Sequence, residues 1–394
     1  MSIEGSLRIE LLCRDNRIRR VRILSSRPLQ LPLLFEGKPV EEVLQTIPML
    51  YSICATAQAN AAVTACRQAL GADVDSQVLL AEAMLVWFET AREHLWRVLI
   101  DWPGYLGEAV EREELPGLSL LIPDAKKALF DSQAPAFTLQ PGLQPKAQEI
   151  ARLIEGFSQT LQRSVFAMPA ADWHAMDTLQ GVERWIDAKQ TAAARYLHKL
   201  KDAGVAKLGQ SGIEALPDID NTLLHQRLQE SDAESFIAAP EWQSRPRESS
   251  CLTRQAAHPL IQAMAPVYGQ GMLSRLVARL VELASIPTRL AALIEMINTE
   301  ERTMVSTLST SPKGMGLGVV EAARGRLIHR ASVSGEKVER YQILAPTEWN
   351  FHPQGLVAEG LLGLSCGYES NLREQASLFI SAVDPCVGYS FEFV

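Results

Sequence analysis

Two thiols occupy positions where a metal could be gripped. Cys54 falls near the start of a helix expected over 52–70, and Cys386 follows Asp384-Pro385 just past another expected helix. A helix N-terminus carries partial positive charge, which favours thiolate, the form that ligates metals. A residue behind Asp-Pro is held stiffly and can still be reached. The other four cysteines, Cys13, Cys66, Cys251 and Cys366, read as small buried apolar side chains. None of the six makes the C-x-x-C spacing of a zinc knuckle or redox site. His329 and His352 carry no ligand spacing either, and a lone histidine is more often hydrogen bonded than ligating.

The elements that must position these thiols are mostly helical. The chain opens with alternating residues, Leu7, Ile9 and Leu11, then turn chemistry at Arg14-Asp15-Asn16, then a second alternating run over 18–24. That predicts a β-hairpin. Helices are expected over 40–46, 52–70 and from Asp75 or Ser76 to Trp102-Pro103, the last with an apolar stripe through Leu80, Met84, Trp87, Ala91, Leu95 and Val98. Others are expected near Ala125 and over 146–163, 181–202 and 222–230, and a pair over 260–298 broken at Pro287. The polar stretch 231–257 reads as an exposed connection. A second hairpin is expected over 326–344, helices over 356–364 and 372–383, and a short aromatic tail. The Gly314–Gly318 cluster precedes a strand, so it lacks the context of a dinucleotide loop. The fold class is α+β and mostly α: a single domain over 1–394 with two peripheral antiparallel hairpins.

Composition removes several functions. Apolar residues make up 47% and charged residues 21%, as in ordinary globular proteins, and the formal net charge is −8. Binding to phosphate backbones needs a basic face. The nearest approach, Arg17, Arg19, Arg20 and Arg22, alternates with apolar residues as a solvated strand face would, so no nucleic-acid partner is expected. The first residues lack a signal peptide's basic start and apolar run, and no stretch approaches a membrane span. A soluble cytoplasmic protein is expected, and in that reducing setting the cysteines are expected to stay unbridged.

Five segments, in order, resemble the nickel–iron hydrogenase large subunit family. They are Ile3-Glu4-Gly5-Ser6-Leu7-Arg8-Ile9, the stretch 51–58 around Cys54, Glu321-Ala322-Ala323-Arg324-Gly325, Ala345-Pro346-Thr347-Glu348-Trp349-Asn350, and Asp384-Pro385-Cys386. The resemblance implies that family's helical core. In its enzymes four thiolates, two from each of two cysteine boxes, hold nickel and iron. Here the first box has Tyr51 in place of its first cysteine and Gln58 in place of its histidine. The second box has Tyr389 and Glu392 where the family has its last cysteine and histidine, and the family's magnesium carboxylate corresponds to Pro32. Phenol and carboxylate do not replace soft thiolates. The chain's end at Val394 also fits a protein without the tail that hydrogenase precursors lose.

The resemblance therefore implies the accessory, non-catalytic branch, hydrogenase formation proteins of the HupK or HoxV kind. Cys54 and Cys386 would hold the iron–dicyanide–carbonyl fragment, Fe(CN)2CO, transiently and without nickel. Arg324 and Thr347 would surround its cyanides, and Glu4 would lie nearby. The implied partners are maturation factors, among them a small carrier chaperone, and the true large subunit. The alternative is a metal-free structural subunit of a redox complex, with both cysteines as relics.

Overall fold

The turn residues Asp15 and Asn16 both take left-handed backbone (φ 52° and 60°), which Asp and Asn tolerate better than most residues. They join antiparallel strands Ser6–Arg14 and Arg17–Ser25, as the alternation predicts. The expected aromatic tail is instead a third strand, Gly388–Phe393, which pairs in parallel with Ser6–Arg14 (Leu7 with Tyr389, Ile9 with Phe391). Its alternation is short, and its partner lies at the opposite end of the chain. The pairing carries Cys386 next to the N-terminal hairpin. The structure is a computed structural model that describes residues 5–110, 112–306, 313–366 and 369–394. Glu4 lies outside the described residues.

The second hairpin belongs to a three-stranded antiparallel sheet of Met315–Ala322, Gly325–Ser334 and Lys337–Leu344. It is not peripheral. Its middle strand is buried along most of its length, and helix Ala55–Leu70 lies across the sheet. Two glycines allow this approach: a Cβ on Gly316 would come within 2.0 Å of the Ala65 carbonyl oxygen, and one on Gly318 within 1.9 Å of that of Ala61. The helix answers with small residues, Ala57, Ala61, Ala62, Ala65 and Ala69, all buried. The glycine cluster is thus a packing seam that fixes the helix headed by Cys54.

Two long helices complete the frame. Ser76–Trp96 is capped by the Asp75 carboxylate, which accepts from the Gln77 amide. Met272–Thr299 is buried from Met272 to Ile286. The break expected at Pro287 falls earlier, at Gly269 (φ 56°) and Gly271, where the chain turns from helix Pro259–Tyr268. Pro287 removes one helical donor, and the packing of the preceding four turns outweighs that loss.

The stretch 231–257 is also not the exposed connection its polarity predicts. It contains helix Ala233–Ala238, and Arg247 to Cys251 are buried. Each polar group there has a partner: Glu248 pairs with Arg275, and Ser249 exchanges hydrogen bonds with Asn350. Polar residues go inside when so satisfied.

Cys13 and Cys366, expected to be unbridged, form a disulfide with Cα atoms 6.3 Å apart. Ile18 donates to the Leu364 carbonyl and Cys366 to that of Asn16, so the two segments already run side by side. The redox argument contained no information about that pairing. Among the described residues, no helix is long and apolar enough to cross a membrane.

Candidate functional site

Cys54 is the N-cap residue of helix Ala55–Leu70. The helix amides that would favour its thiolate are already occupied. Glu89 accepts from Thr56 N at 2.7 Å and from Ala57 N at 2.8 Å. The Cys54 thiol is accordingly pushed up, by burial first, then by Cys386 and Glu89, with Arg324 and the Gln58 amide pulling the other way. This reverses the expectation from the helix dipole: burial and neighbouring acidic groups exceed a half-charge already neutralised.

Gln58, standing at the family's histidine position, donates through Nε2 to Cys54 Sγ at 3.6 Å. Its carbonyl oxygen accepts from His329 Nε2 at 2.8 Å, and His329 Nδ1 meets the Tyr341 hydroxyl at 2.8 Å. An amide oxygen only accepts, so Nε2 carries the imidazole proton and Nδ1 takes the hydroxyl's. Burial lowers His329 to about 3, which keeps it neutral.

Cys386 is buried and follows Asp384, whose backbone is left-handed (φ 66°). Arg27 Nη1 donates to its sulfur at 2.8 Å, and Thr347 Oγ1 lies 3.0 Å from the same atom. Arg27 Nε also sits 2.7 Å from Glu348 Oε1. Burial would lower the Arg27 pKa, yet Cys386 and Glu348 raise it, with Cys54 contributing to the rise.

Arg324 acts on both thiols electrostatically. It pairs with Glu93 at 2.9 Å and, through Nε, with Asp384 at 3.4 Å. Burial acts to lower its pKa, but Asp384, Glu93, Cys386 and Cys54 together raise it. Its Nη1 is buried and has no hydrogen-bond partner in the structure, so a donor remains available. Asp384 anchors the group. Burial would raise its pKa, but Arg324, Arg97 (3.0 Å) and Arg279 (3.4 Å) hold it far below the usual carboxylate range.

The structure therefore sets Thr347 against Cys386 and places Cys54 and Arg324 near enough to that thiol to act on it electrostatically. Sequence reasoning named Gln58 only as a departure from the family and missed Arg27, Glu89 and the arginine cluster around Asp384. Arg27 lies in a proline-punctuated connection with no motif to mark it. Of two substituted family positions, Pro32, at the magnesium carboxylate, is buried in the turn Leu31–Phe35, and Glu392, at the second box's histidine, pairs with Arg8 at the surface. Chemically, two thiols beside a guanidinium donor suit a soft metal that carries anionic, hydrogen-bond-accepting ligands.

Known proteins resemble this chain over much of its length. The profile of the sequence family described as nickel-dependent hydrogenase matches residues 188–386. The hydrogenase expression/formation protein HoxV of Cupriavidus necator is 28% identical over 380 residues, covering 94% of this chain and 92% of that protein. The hydrogenase expression/formation protein HupV of Azotobacter chroococcum is 28% identical over 397 residues, covering 99% of each. Among solved structures, the reduced Ni-Fe-Se hydrogenase of D. vulgaris Hildenborough superposes with a TM-score of 0.66 at 17% identity, over 95% of this chain and 94% of that one. At that identity the likeness concerns the fold.

Proposed function

The chain belongs to the nickel-dependent hydrogenase family, and we propose that within it this protein is a non-catalytic scaffold of hydrogenase maturation that holds an iron fragment for transfer. The relatives named expression/formation proteins support the maturation role. One observation carries the finer reading. Cys386 touches Arg27 and Thr347, and Cys54 and Arg324 lie near enough to act on it electrostatically, while Tyr51 and Tyr389 stand where the resemblance places the family's other two thiolates.

Two thiolates are too few for a nickel–iron pair and enough for one iron that brings its own diatomic ligands. Bound cyanide is negatively charged and accepts hydrogen bonds, so the unpartnered Nη1 of Arg324 and the donors Arg27 and Thr347 match the Fe(CN)2CO cargo. Transfer is thiolate exchange. A small carrier protein presents the iron on its own thiolate, the iron passes to Cys54 and Cys386, and the four thiolates of the true large subunit then take it. Cys54 displaces the carrier's thiolate and Cys386 displaces a solvent molecule from the iron. One thiol proton goes to the departing carrier thiolate and the other to solvent, and the iron oxidation state does not change.

Infrared spectroscopy of protein purified anaerobically, from cells that also make the maturation factors, tests the reading. Cyanide and carbonyl stretching bands are expected, and Cys54→Ala or Cys386→Ala should remove them. Wild-type protein without those bands, purified as a metal-free member of a larger redox complex, would instead establish the structural-subunit alternative.

A further inference from the structure

Three side chains from three helices converge on a second buried point. His94 comes from Ser76–Trp96, Cys251 from Cys251–Arg254 and Glu282 from Met272–Thr299. All three are buried. Glu282 Oε2 lies 2.8 Å from His94 Nε2 and 2.9 Å from Cys251 Sγ, and the sulfur lies 3.7 Å from the same ring nitrogen. The point is separate from the two-thiol pocket, although one small cavity is lined by both Cys251 and Arg324.

Nitrogen, sulfur and carboxylate oxygen together are the donors of a borderline divalent ion. A tetrahedral ion with bonds of about 2.0–2.3 Å sets its ligands about 3.3–3.6 Å apart. The observed triangle straddles that range, and an opening of about half an ångström on its two short edges would admit the ion. The carboxylate is already aimed. Its other oxygen, Oε1, accepts from Arg254 Nε at 2.8 Å and from Gln255 Nε2 at 3.2 Å, the kind of outer support that orients metal ligands, and Arg254 Nη2 donates to Oε2 itself at 2.7 Å. A purely hydrogen-bonded core would be expected to satisfy both imidazole nitrogens. Here His94 Nδ1 has no hydrogen-bond partner.

We propose that His94 Nε2, Cys251 Sγ and Glu282 Oε2 bind a divalent ion of the zinc class, independently of the Cys54–Cys386 pocket. On binding, the thiol proton goes to solvent and the imidazole proton moves to Nδ1. Three protein ligands leave a fourth position on the ion. The ion would add a direct link among three helices that are joined at this point by hydrogen bonds and the Arg254–Glu282 ion pair.

The test uses full-length protein carrying Cys54→Ala and Cys386→Ala, so that its result is independent of iron cargo. Zinc, and nickel as competitor, are titrated by equilibrium dialysis with metal analysis, and cobalt is titrated by absorption. Close to one equivalent of zinc or nickel should be retained, and cobalt should give a sulfur-to-metal band in the near ultraviolet. Cys251→Ser should remove that band, and His94→Gln should cut zinc retention at least tenfold. X-ray absorption of the zinc-loaded parent should show one sulfur at about 2.3 Å among lighter ligands, a readout that does not depend on the variants folding. No retained metal, a shell of light atoms alone, or undiminished binding by folded Cys251→Ser would overturn the proposal.

Discussion

Arg27 and Cys386 stand 359 residues apart in the chain and meet through a 2.8 Å contact between guanidinium Nη1 and the thiol sulfur. Arg27 ends the N-terminal hairpin's exit, and Cys386 leads into the strand that pairs with that hairpin, so one sheet delivers both groups. The same guanidinium neutralises buried Glu348. A cation shared between a thiol and a carboxylate is a local charge balance, and removing it has a calculable consequence.

Arg27→Leu leaves Glu348 buried without its cation, and breaking such a pair from one side costs about 3 kcal/mol. Urea denaturation should show that loss. Adding Glu348→Gln should recover part of it, because the carboxylate's uncompensated charge disappears with it. Equal losses in the single and double variants would mean that Arg27 acts through packing alone.

Gly318→Ala tests the seam that sets the height of the Cys54 helix. The new methyl would lie 1.9 Å from the Ala61 carbonyl oxygen, so helix or sheet must shift. A cost of about 3 kcal/mol is expected, as for an overpacked core. Gly335→Ala is the control: nothing lies within 4 Å of its Cβ position, and only its positive φ of 60° is strained, so about 1 kcal/mol is expected. In the infrared experiment Gly318→Ala should also weaken the cargo bands, and Gly335→Ala should leave them intact.

Local signals made part of this legible. Alternation and Asp15-Asn16 predicted the first hairpin, and the alanine-rich run with its closing Gly71 predicted helix 55–70 to within three residues at its start. The C-terminal strand was hidden because its parallel partner lies at the other end of the chain. The motif resemblance singled out Cys54, Cys386, Arg324 and Thr347, and the fold places them together. It could not single out Arg27, and composition reads arginine as a surface residue. Arg97, Arg279 and Arg324 lie inward because Asp384 gathers them, a relationship set by three separate helices and loops. Cys251 read as simple packing because His94 and Glu282 approach it only in three dimensions.

His329 gives a pH dependence with a definite sign. Its folded pKa is about 3 against an ordinary 6.5, so below 6.5 the unfolded chain takes up a proton that the folded chain refuses. Its contribution is complete above pH 6.5 and is lost as the pH falls toward 3. Between pH 7.5 and 5.5 that loss is about 1.4 kcal/mol. His94, His174, His225, His258 and His352 are also lowered and steepen the wild-type curve. The quantity to measure is therefore the difference between wild type and His329→Gln, by denaturant unfolding at both pH values. A wild-type slope unchanged by the substitution would place a proton on His329 in the folded state.

On the proposed reading two-thiolate ligation is what lets the cargo leave, and restoring the family's thiolates should abolish that release. Tyr51 lines a small cavity with Arg27 and Glu348, so a cysteine there would enter the pocket's wall, and Tyr389 lies three residues beyond Cys386. Each Tyr→Cys change removes a ring, at a cost of about 3 kcal/mol where the side chain is well buried, as Tyr51 is. Folding should therefore be checked first, by circular dichroism. In Tyr51→Cys/Tyr389→Cys protein, the cyanide and carbonyl bands should persist after incubation with the unmetallated large subunit, whereas wild-type protein should lose them. Nickel should also begin to co-purify if the family's four-thiolate set is thereby restored. If the folded double variant surrenders its iron as readily as wild type, the number of thiolates does not govern release, and the two tyrosines would have to be explained by packing.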